Sequence, residues 1–152
     1  MDLSFQEKSI AGSLVFTLLL FGYYFSKVFQ AFTSDSSEPI MALPFVLIGV
    51  VVVLVAIETV YHIAIALRAK SIDEDERDKL IEMKATRISY FVLAAGAFTA
   101  IGQATLSVFF GDSVDARLVH NPIMTANIVL FSFILAEITG FALQLYYYRR
   151  GF

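Results

Sequence analysis

Cysteine and tryptophan are both absent from the 152 residues. The missing thiols exclude disulfides, thiolate metal sites and redox thiol chemistry. Charge is scarce as well: 16% of residues are charged, against about 25% in an ordinary soluble domain. The net charge of −3 excludes little, because the charges are so unevenly placed. No phosphate loop, nucleophile elbow or zinc signature occurs, so no familiar class of soluble enzyme is announced. The longest polar loop is as acidic as it is basic, which argues against a nucleic-acid partner.

What the chain has in abundance is apolar sequence. Hydrophobic residues make up 58%, with 15 Phe and 7 Tyr, and the mean hydropathy is +0.73. A helix needs roughly 20 predominantly apolar residues to cross a bilayer core, and four segments qualify. The first follows Lys8, with 18 uncharged residues before Lys27. The second lies between Glu38 and Arg68 and is broken only by Glu58. The third, between Arg87 and Asp112, carries no charge, and the fourth, between Arg117 and Arg149, is broken only by Glu137. The expected spans are 9–29, 44–67, 87–110 and 123–146, with a polar loop at 68–86. Lipid leaves backbone groups nothing to bond but one another, so each span should be helical. The run Val50–Val55 would suit a buried strand, but its segment is too long and uninterrupted, and the polar alternation of a barrel is missing. No small-residue cleavage site follows the first span, so it reads as an uncleaved helix rather than a signal peptide.

Cations set the expected orientation. With the 68–86 loop in the cytoplasm, that side holds Lys8, Arg68, Lys70, Arg77, Lys79, Lys84, Arg87, Arg149 and Arg150. The opposite side holds only Lys27 and Arg117, so both termini are expected inside. Tyr146–Tyr148 followed by Arg149 and Arg150 has the form of an interfacial anchor. The outer loops, Thr33–Pro39 and Gly111–Pro122, are short and turn-rich; Pro44 and Pro122 stand near the starts of spans two and four, where a missing N–H is expected to cost nothing. In the cytoplasmic loop, Ser71–Glu74 fits a capping box. A helix is expected from about Asp73, running unbroken into span three as a solvated stalk, with Asp73–Arg77 and Asp75–Lys79 as i,i+4 pairs.

The two halves share a layout at an offset of 79 residues: Lys8 falls on Arg87, Glu58 on Glu137 and Lys70 on Arg149. The expected fold is therefore all-α: one domain over residues 1–152, a four-helix transmembrane bundle built as two tandem hairpins in parallel repeat. Such a repeat sets Glu58 and Glu137 at equal depth. An ionisable group there costs about 2.5–3.5 kcal/mol, so both should turn from lipid into the bundle. His62 follows Glu58 at i+4 with Tyr61 beside it, Gln144 follows Glu137 by two turns, and Gln103 lies further outward in span three.

Three readings of these groups stay open. Glu58, His62 and Glu137, with Tyr61, Gln103 and Gln144 lining the site, bind a proton, a cation or a cationic small molecule. Alternatively they only join helices, at about 0.6–2 kcal/mol each. In the third reading Glu58, His62 and Glu137 ligate a divalent metal, as carboxylate–histidine sets do in helical bundles; no other cofactor is expected. A two-histidine haem is not, since His120 lies in an outer loop. Small residues, Gly12 and Ser13 in span one, Ala94–Ala97, Ala100 and Gly102 in span three, Ala136 and Gly140 in span four, mark close packing, and they make span three the expected central helix.

The stretch Asp75–Tyr90 fits the pattern DERxxxIxxKAxRxSY, with its isoleucine at Ile81. In this it resembles a group of small predicted bacterial and archaeal membrane proteins of unknown function. The resemblance covers about a tenth of the chain. It implies a prokaryotic cytoplasmic membrane and carries over no catalytic residues. Two functional classes follow. One is a homo-oligomeric membrane protein for proton- or cation-linked transport or small-ligand binding. The other is a non-catalytic accessory subunit that holds a cytoplasmic or membrane protein partner through Asp73, Asp75, Arg77 and Lys79.

The cysteine-free background makes the orientation testable. Ser71→Cys should react with a membrane-impermeant maleimide only after the membrane is opened, and Ser36→Cys should react in intact cells. The reverse pattern would invert the topology.

Overall fold

The computed structural model describes residues 4–34, 36–68, 75–110 and 122–150. All four elements are helices: α1 (Phe5–Thr33), α2 (Glu38–Ala66), α3 (Glu76–Phe110) and α4 (Pro122–Arg150). Each is long and apolar enough to cross a membrane. The chain is thus a multi-pass helical membrane protein by length and composition. Ser71–Glu74, Asp73, Lys70, Arg117 and His120 lie outside the described residues.

The helices overrun the expected spans, and the ends explain why. Ser4 opens α1 with a capping box: its hydroxyl accepts from the Glu7 amide at 3.2 Å, and the Glu7 carboxylate accepts from the Ser4 amide at 2.8 Å. This is the S-x-x-E pattern of residues 4–7. In α2, Pro39 rather than Pro44 occupies the first turn. Pro44 is the seventh helical residue, so it deprives the Ile40 carbonyl of its usual donor. That corrects the expectation that Pro44 sits where a missing N–H costs nothing. Pro122 does begin its helix. The helix expected from Asp73 begins at Glu76, where the Asp75 amide donates to the Asp78 carboxylate at 3.3 Å. Asp75 and Lys79 meet through backbone, at 3.4 Å, and no ion pair joins their side chains.

Packing follows the order α2, α1, α4, α3: α1 lies along both α2 and α4, and α3 lies along α4. Span three is therefore not central. Small residues permit close approach without choosing which helix approaches. In α3 they are used on one face, where a Cβ on Gly96 would overlap Ser132 and Ser89 backs onto Gly140. Ala95 and Phe98 face outward. The juxtamembrane turns of α3 are not a free stalk either. Ile81 and Ala85 are fully buried, and the Tyr148 hydroxyl donates to Asp78 at 2.9 Å, so the end of α4 covers them.

The inner seam is aromatic. Phe21 and Tyr24 of α1 cluster with Val50 of α2 and Ile134 of α4, and Phe25 meets Phe131 edge-to-face at 5.1 Å. One buried polar pair crosses it: the Tyr24 hydroxyl donates to the Asn127 carbonyl oxygen at 2.7 Å, while the Asn127 amide donates to the Ile123 carbonyl at 2.8 Å. Outward, Leu19, Phe45 and Val108 are bare, as lipid-facing side chains are. The outward threonines Thr59, Thr99, Thr105 and Thr139 bond carbonyls one turn back in their own helices and leave no hydroxyl for lipid to satisfy.

Apolar burial does little to hold helices together in lipid, so the Tyr24–Asn127 pair matters beyond its size. A double-mutant cycle of Tyr24→Phe and Asn127→Leu, read by thermal unfolding in detergent, should give a coupling of about 0.6–2 kcal/mol. Additive losses would show that the pair is not an interhelical tie.

Candidate functional site

The polar residues singled out in the sequence fall into two places on the bundle, with one apart. The first place is the end of the α1/α2 seam nearest the start of α1. Gly12 lets α2 come so close that a Cβ there would overlap the Tyr61 ring. Tyr61 packs edge-to-face on Phe16 at 5.2 Å and donates its hydroxyl to the Lys8 carbonyl at 2.6 Å. Ser9 and Ser13, one turn apart on α1, bracket the next residue: Ser9 Oγ lies 3.2 Å from His62 Nδ1, and Ser13 Oγ lies 3.2 Å from Nε2. A neutral imidazole offers one donor and one acceptor, and a rotating hydroxyl matches either. Glu58, one turn away, is half-buried and has no hydrogen bond or ion pair among the described residues.

The second place is a cleft of about 360 Å³ between α3 and α4. Glu137 lines it from α4, with Gln144 two turns along and Phe133 and Phe141 beside them. From α3 come Glu82, Thr86, Ser89, Tyr90 and Leu93. Two carboxylates and no basic side chain make the lining anionic, while the aromatic walls keep it partly apolar. The helices run antiparallel, so Glu82 with Gln144 and Leu93 with Phe133 mark opposite ends of the cleft. The 12 residues from Glu82 to Leu93 span roughly 16 Å along the axis. Glu82 precedes Arg87, the last charge before span three, so the cleft leads from the membrane interface toward Glu137. Glu137 is exposed in the single chain and has no hydrogen bond or ion pair among the described residues.

Of the six expected ligand-binding residues, Glu137 and Gln144 share the cleft, and Tyr61 and His62 share the other seam, with Glu58 one turn from His62 on α2. Gln103 stands apart, accepting from the Thr125 hydroxyl at 2.6 Å on the outer part of the α3/α4 seam. Tyr61 is occupied as a packing residue. Glu58, His62 and Glu137 are not drawn together as a metal set: among the described residues no three His, Asp or Glu side chains converge for one. Glu82, Thr86 and Ser89 were missed because Glu82 read as a solvated stalk charge. Their spacing at i, i+4 and i+7 carries one helix face unbroken from that stalk into the span, and that was the available sign. No protein-family model, curated protein or solved structure matches the chain.

Replacing both serines should show what holds His62. Ser9→Ala/Ser13→Ala should lower stability in detergent by about 1–3 kcal/mol, one interhelical bond being worth about 0.6–2. Ser26→Ala, whose hydroxyl bonds its own helix at the Tyr23 carbonyl, should cost almost nothing. Equal effects would remove the serines from any role in the seam.

Proposed function

We propose that this chain is a small membrane protein that binds, and moves with it, a proton or small cation through the α3/α4 cleft. Glu137 is the acceptor and Glu82 stands at the mouth. The observation that carries this reading is the lining: two carboxylates, no cation and aromatic walls, in a cleft that starts at the membrane interface. An unpaired carboxylate in lipid is costly, and a bound cation or proton removes that cost. Gln144 and Tyr90 supply neutral polar groups that orient a protonated amine without competing for its charge. His62, held between two hydroxyls one turn from Glu58, is a second proton-accepting position on the other hairpin.

The proposal includes orientation and ancestry. The nine-to-two distribution of cations supports cytoplasmic termini in a prokaryotic inner membrane. A duplicated hairpin draws support from the tight contacts. The 79-residue offset carries Tyr61 onto Gly140; Tyr61 lies on Gly12 and Gly140 on Ser89, so each hairpin has its close approach at the same level.

Calorimetric titration of the detergent-solubilised protein with methylammonium tests the reading. Binding should strengthen as pH rises, because a protonated carboxyl must lose its proton before it attracts a cation. Glu137→Gln should weaken binding at least tenfold and flatten the pH dependence, whereas Glu58→Gln should leave it nearly unchanged. In liposomes, Glu137→Gln should also abolish any amine-coupled proton flux. Binding that survives both Glu137→Gln and Glu82→Gln would sink the proposal. A loss of function on Arg77→Glu/Lys79→Glu instead would favour the accessory-subunit reading.

A further inference from the structure

The cytoplasmic end of α3 carries a second depression, on the side turned away from α4. It is open to its surroundings, about 820 Å³ in volume, and its described lining comes from α3 alone. Lys79 and Arg87 stand on it two turns apart, with Thr86 between them. Neither cation has a hydrogen bond or ion pair among the described residues, although acidic side chains are plentiful nearby on the same helix. Met83 between them and Tyr90 and Phe91 below are bare, each more than 60% exposed. Glu82, Thr86 and Tyr90 stand on the rim shared with the acidic cleft, and Glu82 leaves the depression one positive charge in excess.

The order along the helix matters. Arg87 is the last charge before span three, and Phe91 is already inside it. The 13 residues from Lys79 to Phe91 cover roughly 18 Å of axis. That length reaches from the headgroup layer into the hydrocarbon, since the two polar layers together add only about 10–15 Å to a bilayer. Long cationic side chains stretch toward the headgroups while their stems stay on apolar surface. Basic depressions at this depth suit anionic lipid headgroups.

We propose that this surface binds an anionic phospholipid: its phosphate sits between Lys79 and Arg87, the Thr86 hydroxyl donates to a headgroup oxygen, and an acyl chain lies over Tyr90 and Phe91. Charge complementarity and the depth of the aromatic residues select this occupant over a soluble anion. The site adjoins the acidic cleft and shares Glu82, Thr86 and Tyr90 with it, but its two cations, Lys79 and Arg87, lie outside that cleft.

Native mass spectrometry of the intact protein, exchanged into micelles with equal phosphatidylglycerol and phosphatidylcholine, reads the preference directly. The wild type should retain phosphatidylglycerol roughly tenfold or more over phosphatidylcholine, since each cation near an anionic headgroup contributes about fivefold. Lys79→Gln/Arg87→Gln should bring the ratio close to one. Arg77→Gln, on the same helix outside the depression, should leave it unchanged. If the double variant fails to fold, Lys79→Gln alone should reduce the ratio roughly fivefold. Equal retention by the wild type, or a preference that survives the double variant, would overturn the site. Inorganic phosphate that protects the lipid-free protein against heat as well as phosphatidylglycerol does would assign the cations to a free anion and also overturn it.

Discussion

The Tyr24–Asn127 hydrogen bond crosses the seam on which the bundle depends. Without the α1/α4 contact little would join the two hairpins, because α2 lies mainly along α1 and α3 mainly along α4. In water such a seam would be held by apolar burial. In lipid the tails solvate leucine and phenylalanine as well as a neighbouring helix does, so close packing and polar pairs carry more of the association. A buried tyrosine–asparagine pair, with the asparagine amide also anchored on its own helix, supplies direction as well as energy. It sits among edge-to-face rings, a geometry aromatic pairs prefer.

The outer two seams use another device. Glycine or serine on one helix lets the partner come close: Gly12 beneath Tyr61, Gly96 beside Ser132, Gly140 beside Ser89. Once backbones are that near, short hydroxyl side chains reach across, as Ser9 and Ser13 reach His62. Close approach along one line of α4 opens space on its flank. Ser89 and Gly140 form the tight contact and also line the α3/α4 cleft, so the packing that joins the helices shapes the acidic space beside them.

Charge is arranged around α3 with the same economy. One face meets α4 through buried Ile81 and Ala85 and through Asp78 on Tyr148. The adjoining flank is acidic and leads to Glu137, while the outer flank carries Lys79 and Arg87 over bare aromatic side chains. A single helix thus presents a packing face, an anionic face and a cationic face at one membrane boundary.

By itself the sequence determined the four helices, their approximate extents and the rarity of intramembrane charge, because the absence of water in lipid turns apolar length directly into helix. It also held the α1 capping box and the tight positions at Gly12 and Gly140. Only the tertiary structure decided which helix neighbours which. A glycine states that something can come near but names no partner, and so α3, rich in small residues, proved peripheral. The same limit hid Glu82, which is exposed in the single chain yet lines the cleft that α4 forms with α3. It also separated Glu58 from Glu137, which equal depth along the chain had seemed to pair: depth is a property of one helix, and proximity is a property of two.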